Sequence, residues 1–208
     1  MIHPDTEVRF ISNEKGYGVV ATKFIPKGTI TWVQDDLDRI FTRDEVENLN
    51  PLIKKHLDFY TFTNKNGDRI LCWDNGKYVN HSFKPSCFST AYDFEIAIRD
   101  IYPGEELTDD YGYLNVESPF EAIDEGADRK TVYPDDILTF HKEWDAIIKE
   151  NAPKVFEVEQ SLLYLIPTKT WVEFVNAVQN PSQMKSILEC HYHQPTALNG
   201  ATHKLKSF

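Results

Sequence analysis

The chain changes character near residue 117, and that change limits the folds open to it. Before that point, short apolar runs are broken by turn chemistry every few residues. After it, apolar residues recur at helical spacing. Strands followed by helices predict an α+β fold, with a β-rich unit over 1–117 and a helical C-terminal region over 118–208.

The turns of the first part are specific. Ile25-Pro26-Lys27-Gly28 suits a type I turn, and Tyr102-Pro103-Gly104-Glu105 a type II turn with glycine at its third position. Asn64-Lys65-Asn66-Gly67 predicts a hairpin between Phe59-Tyr60-Thr61-Phe62 and Arg69-Ile70-Leu71-Cys72-Trp73. Ile96-Ala97-Ile98-Arg99 alternates as a strand does. Thr42 with Glu45 forms a capping box, and Asn50-Pro51 a second helix start, so 42–58 reads as two short helices in a loop. In the second part, Ile137, Phe140, Trp144, Ile147 and Ile148 share one helical face. Pro153 opens a segment with Val155, Leu162 and Leu165 as core positions. Thr170 and Glu173 suggest another capping box, ahead of Phe174. Asn180-Pro181 starts a last helix with Met184, Ile187 and Leu188, and the polar tail from Gln194 reads as loose.

Hydrophobic residues make up 41% of the 208, enough for a core, and no run approaches the ~20 apolar residues of a membrane span. Met1-Ile2-His3-Pro4-Asp5 lacks the basic and apolar start of a secretory signal, so a soluble intracellular protein, cytoplasmic or nuclear, is expected. Cys72, Cys87 and Cys190 are too few and too scattered for a disulfide framework. A net charge of −11 disfavours direct nucleic-acid binding and suits basic protein partners, or solubility alone.

Three motifs carry the chemistry. Lys15-Gly16-Tyr17-Gly18 offers a Gly-x-Gly turn whose backbone a ligand can approach closely, although an ordinary hairpin turn has the same form. Tyr78-Val79-Asn80-His81-Ser82-Phe83-Lys84-Pro85-Ser86-Cys87 gathers donors and acceptors in one polar stretch. Arg99–Tyr113 gives a strand, a Pro-Gly turn, the acidic pair Glu105-Glu106, then Asp109-Asp110-Tyr111-Gly112.

In this order and spacing the three motifs resemble the SET-domain family of protein lysine methyltransferases, over roughly residues 5–120. The resemblance implies a SET-type fold of small curved sheets with a C-terminal pseudoknot, and places 36–72 in the family's variable insertion. It implies S-adenosylmethionine as cofactor, held by Lys15, Gly16, Tyr17 and Gly18, with Asn80 at the methionine portion and His81 presenting its backbone to the adenine. Tyr111 matches the catalytic tyrosine. The acceptor would be a lysine amine of a basic protein such as a histone. Deprotonating a free lysine at pH 7 costs roughly 4.6 kcal/mol, which burial in an apolar channel beside a positive sulfur would reduce.

The sequence departs from the family in two places. Where many members carry zinc-binding post-SET cysteines, this chain has Ala122, Asp124 and Asp128, so no zinc is expected there and another element must cover the cofactor. Phe120 is the first candidate, with Tyr133, Phe140 and Trp144 as others. Cys190-His191-x-His193 lacks a second ligand pair, and no metal is expected there either. Asp109 stands two residues before Tyr111, where the family often has Phe or Tyr, which leaves the number of methyl groups open. A SET-fold module that binds peptide or cofactor without turnover is the alternative, and the helical region would serve either as a homodimer or partner contact.

Overall fold

The computed structural model describes residues 1–193, and the tail from Gln194 lies outside them. Strands β1 (Thr6–Ser12), β2 (Gly16–Ala21), β3 (Ile30–Val33) and β4 (Arg39–Phe41) come first. Helices α1 (Arg43–Glu47) and α2 (Pro51–Tyr60) lead into β5 (Thr61–Thr63) and β6 (Arg69–Leu71). Then follow β7 (Asn80–His81), β8 (Cys87–Ser89), β9 (Phe94–Ala97), β10 (Glu106–Asp109), β11 (Phe120–Glu121), β12 (Thr131–Val132), α3 (Asp136–Asn151) and α4 (Thr168–Gln179). The fold is mixed α+β, built of small sheets and helices.

The strands form sheets in the orders β1-β2-β10-β7, β3-β9-β8, β4-β6-β5 and β11-β12. The first sheet positions the site. Its β10 is antiparallel to β2, with Leu107 opposite Val19, and parallel to β7, with Thr108 opposite Asn80 and Asp109 opposite His81. The Pro103-Gly104 turn makes that placement: Glu105 N–H bonds the Tyr102 carbonyl at 2.9 Å, and Gly104 takes φ +87°, which a side chain would disfavour. Strand β10 thereby joins the chain's first hairpin to the Asn-His segment sixty residues later.

The third sheet is made entirely within 36–72. Thr42 caps α1 reciprocally with Glu45, and Asn50 caps α2 with Pro51 at its first position, both as expected. The hairpin at 64–67 also forms, but its first strand is shorter than expected. Phe59 and Tyr60 end α2, because the helix begun at Pro51 carries on until the Thr61 N–H donates its last bond, to the Leu57 carbonyl.

In the C-terminal part, α3 buries Ile137, Trp144 and Ile148 against Phe88 and Tyr113. Val155, Leu162 and Phe174 cover Ile30, Phe94 and Ile96 of β3 and β9. Each such side chain contributes about 1.5–3 kcal/mol by leaving water. Gln160 adds a polar link, donating to Gly28 O at 2.9 Å and accepting from Ile30 N–H at 2.8 Å. The expected capping box at Thr170 does not form. Helix α4 starts earlier, at Thr168, because the Pro167 carbonyl takes the Trp171 N–H and the proline already holds a helix-compatible φ. After Asn180 the chain makes two short 3-10 turns, Pro181–Gln183 and Ile187–Cys190. Among the described residues no helix is long and apolar enough to cross a membrane.

Candidate functional site

Pairing of β7 with β10 brings the second and third motifs side by side, and β2 brings the first. Between them and the 36–72 insertion lies a cleft of about 1100 Å³. Lys15, Gly16, Tyr17, Asn80, His81, Tyr111 and Phe120 all line it. Gly18 does not line it. Gly18 lies on β2 behind the wall, where a Cβ would come 2.9 Å from Asn80 Nδ2 and closer still to Glu106 Oε1. Its lack of a side chain permits the packing of β2 against those two residues.

Asn80 ties the motifs together. Its Nδ2 donates to Tyr17 O at 3.0 Å and to Glu106 Oε1 at 2.6 Å. Lys15 Nζ sits 3.2 Å from the other Glu106 oxygen and 3.7 Å from Glu125 Oε1. His81 Nδ1 accepts the Tyr111 backbone N–H at 3.1 Å, so the ring proton belongs on Nε2. That Nε2 is buried and has no partner. Burial, assisted by the charge of Arg129, pushes His81 down to about 4, so the ring is neutral at pH 7.

Tyr111 opens a one-turn 3-10 helix, Tyr111–Tyr113, which Asp110 caps through Gly112 N–H. Its hydroxyl donates to the Val79 carbonyl at 2.5 Å. Burial raises the phenol above its ordinary range, and the charges of Asp109, Glu106 and Glu95 add to the effect. The group therefore stays a phenol. With its proton committed to Val79, the oxygen is left with lone pairs to offer.

The inner part of the cleft is more acidic than expected. Glu95 and Asp109 both line it and are only 5% and 4% exposed. Thr31 donates to Glu95 Oε1 at 3.2 Å. Asp109 accepts the Tyr113 hydroxyl and the Asp110 N–H on Oδ1, and Ser89 Oγ at 3.4 Å on Oδ2. Burial pushes Glu95 up to about 7. Asp109 is raised too, first by burial and then by its neighbours Glu95 and Asp110. The sequence marked Asp109 as unusual but gave no reason to choose Glu95. Its only signal was a charged residue between Phe94 and Ile96 in an otherwise apolar strand.

Arg129 was also missed. Its guanidinium bonds Asp110, next to Tyr111, and Asp136, at the start of α3. It lies 4.5 Å from the Phe83 ring centre and 4.6 Å from that of Phe140. This clamp holds the 118–132 segment against the site, where Phe120 meets the His81 and Tyr111 rings with centres 5.8 and 6.3 Å apart. In the same segment Glu125 accepts Ser82 Oγ at 2.6 Å, and its carbonyl accepts Lys84 Nζ at 2.7 Å. Of the other aromatic lid candidates, Phe140 and Trp144 pack around Arg129 and the α3 core, and Tyr133 is exposed. Among the described residues no group of three or more His, Cys, Asp or Glu is arranged to hold a metal ion.

The cleft fits the cofactor that the motifs imply. Its volume exceeds that of ordinary single-ligand pockets, so it has room for a nucleoside-bearing donor and a second side chain. A Cβ on Gly16 would meet nothing within 4 Å, which leaves open space beside the backbone. The unpaired His81 Nε2–H is a donor in want of an acceptor, and the Tyr111 oxygen suits a cationic sulfur with its polarised methyl.

Comparison with known proteins agrees with this geometry. The profile of the SET domain family matches residues 16–112, from the Gly-x-Gly turn to the glycine after Tyr111. Histone-lysine N-methyltransferase ASHH2 of Arabidopsis thaliana is 29% identical over 121 residues, a stretch covering 52% of this chain and 7% of that protein. The likeness to the SET-domain family thus runs over residues 16–112, a little under half of the chain.

Proposed function

We propose that the chain is an S-adenosylmethionine-dependent protein-lysine N-methyltransferase acting on a basic protein segment, with a histone tail as the leading candidate. The observation that carries this reading is the commitment of the Tyr111 proton to Val79. It leaves an oxygen that can only accept, in a cleft shared with the Gly-x-Gly turn and the Asn80-His81 pair. When bound, the cofactor supplies a methyl on a positively charged sulfur.

The chain's own residues do the rest. Lys15, Gly16 and Tyr17 offer backbone to the cofactor, and Asn80 fixes the turn that presents it. His81 shapes the adenine side with Phe120 over it, and its unpaired Nε2–H is available to the ligand. Phe120 and the loop held by Glu125 and Arg129 exclude water in place of a zinc cluster. Tyr111 accepts a hydrogen bond from the lysine amine and turns its lone pair toward the methyl, while C–H···O contacts to the same oxygen steady the donor. Tyr111 would hold the amine nitrogen that takes the methyl and with it the positive charge, the sulfur keeping the C–S electron pair. Most of the acceleration is then alignment in a closed cleft.

The test is incubation with isotopically labelled S-adenosylmethionine and the core histones, followed by mass spectrometry of each lysine. Transfer to lysine that weakens with added salt is expected, since a chain of net charge −11 steers basic partners. Cofactor binding without transfer to histones or to the proteins of a cell extract would favour the non-catalytic binding module instead.

A further inference from the structure

Glu95 and Asp109 are buried carboxyl groups at the inner part of the cleft, and among the described residues neither has a cationic partner. Buried acids are ordinarily paired or fully hydrogen-bonded, because an unpaired one costs the desolvation of its charge. Asp109 approaches that condition through Tyr113, Ser89 and Asp110. Glu95 has weaker support: Thr31 donates to Oε1 at 3.2 Å, and the Cys87 thiol is its other side-chain donor. Its position is fixed by the strands on either side, since it pairs with Trp32 of β3 and Ser89 of β8. The side chain lines the same cleft as Tyr111, near enough that its charge disfavours a phenolate there.

On the reading that the cleft receives a lysine amine, we propose that Glu95 determines how many methyl groups are added, by accepting an N–H of the incoming amine and so favouring the first transfer over later ones. A neutral amine that aims its lone pair at the methyl donor has two N–H bonds left to satisfy. The Tyr111 oxygen takes one, and the Glu95 carboxyl, backed by Asp109, takes the other. A monomethylated amine carries a methyl in one of those two positions. Against Glu95 that methyl displaces a hydrogen bond and leaves a buried acceptor unmet. Against Tyr111 it removes the contact that orients the lone pair. Either arrangement slows the second transfer. Sites built to hydrogen-bond a donor reject analogues that lack it more strongly than apolar pockets reject an added methyl. A purely apolar floor would accept the methylated amine more readily.

The experiment measures binding and turnover on the same samples. A peptide with one lysine flanked by arginine and glycine is prepared in unmethylated, monomethylated and trimethylated forms. Each is titrated calorimetrically into the full chain saturated with S-adenosylhomocysteine, the demethylated product, and each is assayed for transfer. Wild type should prefer the unmethylated form by on the order of tenfold in both measurements, the effect of one lost buried hydrogen bond. Glu95→Leu should bring the preference close to unity, and Glu95→Gln, which keeps one acceptor oxygen, should lie between. Thermal melting of each variant with and without S-adenosylhomocysteine checks folding, and Glu95→Gln keeps the shape if Glu95→Leu fails to fold. Lack of preference in wild type, or the wild-type preference retained in Glu95→Leu, overturns the proposal. Preferential binding of the unmethylated peptide without transfer keeps Glu95 as an acceptor for the amine, but overturns its control of methyl number together with the enzymatic reading.

Discussion

The Tyr111 hydroxyl gives its proton to the Val79 carbonyl, 2.5 Å away, so a residue of the third motif is anchored by the backbone of the second. Removing that one oxygen tests the mechanism directly. Tyr111→Phe keeps the ring against His81 and Phe120 and should fold normally. Its kcat should drop by about 10²-fold or more, the usual cost of losing one positioned polar contact in a transition state, while the affinity for S-adenosylhomocysteine changes little. Near-wild-type turnover would remove Tyr111 from the chemistry.

Tyr113, two residues on, should behave in the opposite way. Its hydroxyl is buried, donates to Asp109 and accepts the Ser89 N–H at 3.1 Å. Tyr113→Phe leaves buried groups unmet and should cost about 1–3 kcal/mol in urea unfolding. A variant as stable as wild type would show that Asp109 finds another donor.

Asn80→Ala should weaken cofactor binding without unfolding the chain. S-adenosylmethionine should raise the wild-type melting temperature, as any ligand selective for the native state does. The variant loses the bonds from Nδ2 to Tyr17 and Glu106 and should show a smaller shift at equal cofactor concentration. Equal shifts would mean that the Gly-x-Gly turn holds its shape unaided.

Arg129 is expected to do here what zinc does in cysteine-rich relatives. Arg129→Ala strands Asp110 and Asp136 and should destabilise the chain by a few kcal/mol. It should also loosen 118–132, read as faster hydrogen exchange around Phe120. A metal chelator should change neither the melting temperature nor activity, and metal analysis should find no stoichiometric zinc. A drop in melting temperature on chelation would contradict this, and would direct attention to Cys190, His191 and His193.

The pH dependence of stability should carry the mark of Glu95. Folding raises this acid from its ordinary range to about 7, so the native state holds a proton that the unfolded chain gives up. Its contribution is favourable below the unfolded value and is lost as pH rises through about 7. His81, lowered to about 4, acts with the opposite sign between that value and its ordinary range, and partly offsets Glu95 in mildly acidic buffer. Glu95→Gln should therefore gain stability relative to wild type as pH rises from 5 to 8. A difference between the two that does not vary with pH would show that Glu95 ionises normally.

Much of the site could be read from the sequence, because its information is local or lies in motif order. The Pro103-Gly104 turn, the Thr42 capping box and the Asn50-Pro51 helix start each depend on residues within four positions. Asn80 and Tyr111 stand in motifs whose sequence fixes their order, although only the β7–β10 pairing makes them neighbours. Glu95 and Arg129 could not be read in this way. Glu95 takes its character from Thr31, 64 residues earlier, and from burial that a single charged residue in a strand does not announce. Arg129 lies in the polar run Asp128-Arg129-Lys130, which looks like solvent-facing chain until Asp110 and Asp136 close on it. Phe59 and Tyr60 went the other way: their strand preference yielded to a helix already capped and under way.

Asn115 takes φ +53°, donates to the carbonyls of Thr63 and Cys190, and accepts the Tyr192 N–H at 2.8 Å. Ile187, Glu189 and Cys190 in turn line the same cleft as Lys15 and Gly16. One pocket is thus walled by residues made more than 170 positions apart. During synthesis the first hairpin and the insertion sheet leave the ribosome well before the last wall exists. Until residue 192 is free to close on Asn115, the half-built core presents Phe88, Tyr113 and Ile137 to water where Ile187 later packs. The nascent chain is most vulnerable to aggregation in that interval, and slow translation of the final stretch should lengthen it.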